Sequence, residues 1–176
     1  VSIDGSAFYN KGLFTVKASG KDIWGDDDEF HFVYWHMNGD IEIIAKVNSI
    51  TETDDWAKSG IMIRESLTDD SKHAFMLVTP DEGTAFQRRI KNRKNSYHSG
   101  SSGSVPIWLK LVRIGNQFTG FKSKDSLNWI EVGNEKIEME AETHVGIALT
   151  SHDDRKLCTS HVQIYLSGIY DDILLN

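Results

Sequence analysis

Apolar residues in this chain recur mostly at every second position, the period of a strand with one face buried. Alternation of this kind, or enrichment in β-branched and aromatic residues, predicts strands over 13–18, 29–37, 40–50, 58–65, 73–79 and 84–91. The same signals continue over 107–114, 117–123, 128–132, 144–151 and 158–166. Turn residues punctuate them at short intervals, as at Asn38-Gly39, Pro80-Asp81-Glu82-Gly83, Gly115-Asn116 and Ser123-Lys124-Asp125-Ser126. With no amphipathic helix between the strands, the pattern predicts an all-β fold: two antiparallel sheets packed as a sandwich or jelly roll. The tract 99-SGSSGS-104 reads as a loop, and 135-EKIEMEAET-143 as an exposed edge. No fixed-period repeat supports a propeller or a solenoid.

Alternation also assigns faces. In the strand from Glu29, Phe30, Phe32 and Tyr34 point one way and His31, Val33 and Trp35 the other. In the strand from His144, Val145, Ile147 and Leu149 form an apolar face, while Gly146, Ala148, Thr150 and His152 form a face of small and polar groups. If the second face of each strand lines a concave side, then His31, Trp35, Arg64, Gln87, Arg89 and His152 meet around a ligand. The competing reading is a partly buried polar layer with no ligand. Sugar binding needs flat apolar surfaces beside a few placed polar groups, and Trp24, Trp35, Trp56, Trp108 and Trp129 supply candidates. Trp108, within Ile-Trp-Leu-Lys-Leu, reads as core, and Trp129 as the pin of a hairpin.

Length and composition narrow the classes. The 176 residues suit a single domain spanning 1–176, long enough to bury a real core without staples. No apolar run approaches the roughly 20 residues of a membrane-spanning helix, so a soluble domain without membrane contact is expected. A formal net charge of -7 disfavours a nucleic-acid partner, whose phosphates require Lys and Arg. Cys158 is the single cysteine, which excludes an internal disulfide and a multi-cysteine zinc cage. Residue 1 does not open a basic-then-apolar leader, and the chain is expected to be a module excised from a larger protein.

Local charge runs offer three candidate chemistries. Asp26, Asp27, Asp28 and Glu29 carry hard oxygen ligands but lack the one-in-two spacing of a calcium loop. A solvated turn is the leading reading, and a structural calcium the alternative; no other cofactor is expected. The seven histidines lie singly, without a paired metal-ligand spacing. The run 88-RRIKNRK-94 reads as a charged hairpin tip, or alternatively as a contact for an anionic glycan. No nucleophile elbow, phosphate loop or dinucleotide fingerprint occurs.

The segments 9-YNKGLFTVKASGKDIWG-25, 28-DEFHFVYWHMNGDIEIIAKV-47, 55-DWAKSGIMIRESL-67, 73-HAFMLVTPDEGTAFQRR-89 and 145-VGIALTSHD-153 resemble the concanavalin A-like, laminin-G-like β-sandwich modules appended to secreted bacterial glycoside hydrolases. The resemblance implies a jelly roll, a secreted or cell-surface location and an accessory role. Enzymes of that superfamily carry a strand reading Glu-x-Asp-x-x-Glu, in keeping with the paired carboxylates that retaining glycosidases need. Here the nearest acids are Asp40 and Glu42, and Ala45 or Lys46 stands where the third would be. The expectation is therefore a non-catalytic module that binds polysaccharide or oligosaccharide and targets a linked catalytic domain. A structural or protein-interaction spacer is the second reading, and a glycoside hydrolase the third.

Overall fold

The computed structural model describes residues 1–167, so the last nine positions of the expected 1–176 domain lie outside the described residues. The strands in chain order are β1 (Ser6–Asn10), β2 (Leu13–Ala18), β3 (Ile23–Trp24), β4 (Asp27–Asp28), β5 (His31–Asn38), β6 (Ile41–Ile50), β7 (Lys58–Arg64) and β8 (His73–Val78). They continue as β9 (Thr84–Arg89), β10 (Tyr97–Ser101), β11 (Ile107–Ile114), β12 (Gln117–Ser123), β13 (Ile130–Lys136), β14 (Glu142–Thr150) and β15 (Cys158–Ser167). No helix occurs among the described residues. One sheet has the order β1-β2-β15-β6-β11-β12-β13, the other β10-β9-β8-β7-β14-β5, and β3-β4 form a separate ribbon. All pairings are antiparallel.

The two large sheets enclose the main core. Val16, Ile43, Ala45, Val47, Leu109, Leu111 and Val162 come from the seven-stranded sheet, and Ile61, Ile63, Met76, Phe86, Val145, Ile147 and Leu149 from the six-stranded one. Burying each large aliphatic side chain contributes about 1.5–3 kcal/mol, and the alternating strands β6 and β11 deliver theirs to this layer. A second cluster lies on the opposite face of the six-stranded sheet, where Met62, Phe75, Leu77, Ala85 and Ala148 pack against Ile23 of the β3-β4 ribbon. Consequently β7 and β8 are buried on both faces throughout their length.

Several sequence expectations need correction. The 99–104 tract is not wholly loop, because Tyr97–Ser101 pairs with β9 as an edge strand. Its small residues present no side-chain alternation, and the backbone ladder is supplemented by Arg88 Nη1 donating to Ser99 Oγ at 3.1 Å and Thr84 Oγ1 donating to Ser101 O at 3.2 Å. In 135–143, Ile137 and Met139 are buried in the main core rather than exposed. Trp108 is half-buried on the outer side of its strand, tilted against Tyr165 with Lys46 over its ring, while its neighbours Ile107 and Leu109 take the core.

The face assignment for 144–151 holds, but that for the strand beginning at Glu29 is inverted. Across the β14-β5 pairing, Trp35 stands opposite Val145, Val33 opposite Ile147 and His31 opposite Leu149. Opposed residues of antiparallel strands share a face, so this side of β5 turns toward the main core. Trp35 packs there, edge-on to Phe14 with ring centroids 5.9 Å apart. Phe30 and Phe32 instead join the second cluster on the outer face.

Candidate functional site

The outer face of the six-stranded sheet carries, beneath the ribbon, a buried polar layer. Arg64 ends β7, His73 begins β8 and Arg89 ends β9, and pairing places the three side by side. Asp28 of the ribbon descends onto them. Arg89 donates through Nη1 and Nη2 to the two Asp28 oxygens at 2.8 and 2.6 Å, and Arg64 Nη1 donates at 3.2 Å. All three side chains are essentially without solvent contact. Burial pushes the Asp28 carboxyl above its ordinary value, while the two guanidiniums draw it down. Burial holds the His73 imidazole well below its ordinary value, and the two neighbouring arginines reinforce this.

The acidic turn is therefore not simply solvated. Asp28 is its buried anchor, Glu29 is half-buried, and Asp27 is exposed. Their carboxylates do not converge, and among the described residues no group of three or more His, Cys, Asp or Glu could hold a metal.

Beside this layer the sheet opens into a cavity of about 250 Å³. Its floor is Leu77, Ala85 and Gln87 from β8 and β9, with Lys58 from β7. The walls come from elsewhere: Trp24 from the ribbon, Trp56 from the turn before β7, His98 from β10 and His152 from the turn after β14. His98 lies between the indoles, its ring centroid 5.3 Å from Trp24 and 5.9 Å from Trp56.

A chain of polar contacts runs along the remaining side. Lys58 Nζ pairs with Asp22 and donates to Ile23 O at 3.0 Å. His152 Nε2 is 3.2 Å from Asp22 Oδ2, and its Nδ1 is 3.0 Å from Asp54 Oδ1. The same Asp54 oxygen accepts from Trp56 N at 2.9 Å, which fixes the turn that presents Trp56. Burial pulls the Lys58 ammonium below its ordinary value, and the Asp22 carboxylate opposes that. His152 has a φ of 57°, in the left-handed region that costs a non-glycine residue energy. Thr150 helps to hold it there, accepting from His152 N at 3.5 Å and donating to Gly20 O at 3.0 Å.

Of the residues expected to meet a ligand, His152 and Gln87 line this cavity. Gln87 Nε2 is committed to Ile23 O at 2.6 Å. Arg64 and Arg89 occupy the expected face but are sealed beneath the ribbon by Asp28. Trp35 and His31 lie on the other face of β5, and His31 is half-buried against Gly5. Alternation did not reveal Trp24, Trp56 and His98. The available signal was position: Trp24 sits in Asp-Ile-Trp-Gly-Asp and Trp56 in Thr-Asp-Asp-Trp, tryptophans beside acidic turn residues rather than within a long alternating strand.

The basic run is largely neutralised. Arg88 Nε lies 3.3 Å from Glu135 and Arg93 Nε 2.9 Å from Asp70, while Arg89 is buried.

No family model matches the chain, and no curated protein matches its sequence. Solved structures do. A functionally unknown protein from Saccharomyces cerevisiae superposes with a TM-score of 0.72 at 16% identity, covering 94% of this chain and 93% of that one. A legume lectin-like domain from Entamoeba histolytica gives 0.58 at 10% identity, over 94% and 89%. The carbohydrate-binding module CBM66 from Bacillus subtilis gives 0.55 at 12% identity, over 92% and 88%. At these identities the likeness concerns the fold alone: the chain is an all-β, antiparallel two-sheet sandwich of the lectin-like, concanavalin A-like kind.

Proposed function

We propose that this domain binds carbohydrate without transforming it, and that the cavity bounded by Trp24, Trp56 and His98 is the site. The observation that carries the proposal is the pairing of aromatic walls with the Asp22–Lys58 ion pair inside one cavity. A sugar ring offers an apolar C–H side and a rim of hydroxyls. The indoles and imidazole suit the first, and an adjacent carboxylate and ammonium suit the second, accepting from one hydroxyl and donating to its neighbour. The cavity is smaller than the roughly 300–1,000 Å³ common for drug-sized ligands, which fits a single sugar unit. Asp22 and Asp54 against Lys58 leave an acidic rim that disfavours an anionic glycan. An organic cation is disfavoured as well, because Lys58 Nζ already stands 5.6 Å from the Trp24 ring centre.

The wider role is that of an accessory module in a secreted or cell-surface bacterial protein. It raises the local concentration of polysaccharide at a linked catalytic domain. This part of the proposal draws on the sequence resemblance and on the fold shared with a carbohydrate-binding module.

Affinity electrophoresis on neutral β-glucans, xylans, galactans and fructans tests the reading. Retention without release of reducing ends is the expected result. Trp24→Ala and Trp56→Ala each weaken retention by about 1–3 kcal/mol, as loss of an interface anchor does. Trp35→Ala keeps retention and loses stability instead, by about 3 kcal/mol, the lower end for a tryptophan packed on a core. Equal retention of parent and Trp24 or Trp56 variants would place the site elsewhere. No retention on any glycan would leave the spacer role, and turnover by the purified domain would make it an enzyme.

A further inference from the structure

Trp24 and His98 line a second depression as well as the cavity. It measures about 560 Å³ and is completed by Gly25, Arg88, Asn95, Ser96 and Tyr97. The two rings thus form a ridge between adjoining spaces, their planes tilted by 50°. Trp24 keeps 40% of its surface exposed although Ile23, the residue before it, is fully buried.

We infer that the ridge separates two consecutive subsites, so that the ligand is an oligosaccharide with one unit in the Trp56 cavity and the next in the Asn95–Tyr97 depression. The inference rests on the carbohydrate reading of the cavity and adds to it the length of glycan engaged and the residues that sense it. Three features support it. First, the depression is built before any ligand arrives. Ser96 donates to Gly25 O through N at 2.8 Å and through Oγ at 3.2 Å, and Arg89 Nη2 donates to the same oxygen at 3.1 Å. This ties the 94–96 segment to the ribbon, and a preformed wall spares the ligand the cost of ordering it.

Second, Asn95 and Tyr97 are exposed, and their side chains make no hydrogen bond or ion pair among the described residues. Their amide and phenol groups are free for hydroxyls. Third, charge is compensated in the second space. The Arg88 guanidinium is held by Glu135 at 3.3 Å and by Ser99 Oγ at 3.1 Å. That space therefore suits a neutral sugar unit.

Calorimetric titration with mono-, di- and trisaccharides of glucose, xylose, galactose and fructose decides the matter. For the sugar that binds, the disaccharide is expected to bind at least about tenfold more tightly than the monosaccharide, equivalent to about 1.4 kcal/mol. In an Asn95→Ala/Tyr97→Ala double variant that ratio falls to near unity. In Trp56→Ala both affinities fall and the ratio survives. Thermal melts of the double variant should match the parent, since both side chains are exposed. A disaccharide no tighter than its monosaccharide, or a length gain that persists in the double variant, overturns the two-subsite inference while leaving the cavity as a sugar site. Failure of every sugar to bind overturns the carbohydrate reading itself, and this inference with it.

Discussion

Both oxygens of Asp28 are spent on arginines, and no water reaches any of the three side chains. Asp28→Asn removes the charge and leaves two buried guanidiniums facing a neutral amide. Breaking a buried pair from one side typically costs about 3–5 kcal/mol, so urea melts of this variant should show a loss of that order. Asp27→Asn, one residue earlier and exposed, should hardly change the melt. Cys158 illustrates the opposite case, a residue whose inertness is set by its surroundings. Burial pushes its thiol up to about 11, so it stays protonated at neutral pH. Iodoacetamide should leave it unmodified in the folded domain and alkylate it readily in denaturant. In sequence, Asp26, Asp27, Asp28 and Glu29 look interchangeable. Burial of one of the four depends on where the ribbon lands, and nothing local encodes that.

Strand elements were the most legible level of the chain. The expected boundaries of β2, β11 and β12 coincide with those observed; β2 and β11 alternate cleanly with one face in the main core, while β12 does so only up to Gly120, where its register with β13 shifts. Strands β1, β3, β4 and β10 were missed. The two residues each of β3 and β4 are too short for a period, and β1 is exposed along its whole length. The inverted face of β5 has a different cause. Phe30, Phe32 and Tyr34 are at least as apolar as His31, Val33 and Trp35, so alternation identifies two faces without saying which one meets the core.

The β3-β4 ribbon, by closing over β7 and β8, also makes stability depend on pH. His73 on β8 is neutral in the folded state because burial and two arginines oppose its protonation. The unfolded chain accepts that proton near the ordinary histidine value of about 6.5. Folding stability is therefore fully present above that pH and lost below it, by up to about 1.4 kcal/mol per pH unit from this residue. His31 and His144 are also lowered by burial and act with the same sign. Urea melts from about pH 7.5 down to about pH 5 should show the decline. His73→Gln should flatten it, and an unchanged slope would assign the effect to the other two.

Over the molecule as a whole, a net charge of -7 coexists with a cavity whose lysine, Lys58, is paired with Asp22. Affinity for a neutral glycan should therefore hardly change when salt is raised, since screening acts chiefly on exposed, unpaired charges. A steep loss with salt would instead indicate an anionic ligand on the surface around 88–94. The cavity itself is a whole-molecule property. Its lining comes from the ribbon, from the turn before β7, from β7 to β10 and from the turn after β14, positions as far apart in the chain as Asp22 and His152.

The all-β class, most of the strands and the apolar face that β14 turns to the main core are legible in the order of residues. Those follow from a two-residue period, which is local. Three features emerge in the folded chain alone: the acidic turn folds back over the sheet, Asp28 seals Arg64 and Arg89, and Trp24, Trp56 and His98 surround the cavity. A second layer on a sheet's outer face is built from contacts between distant segments, and no periodicity along the chain records them.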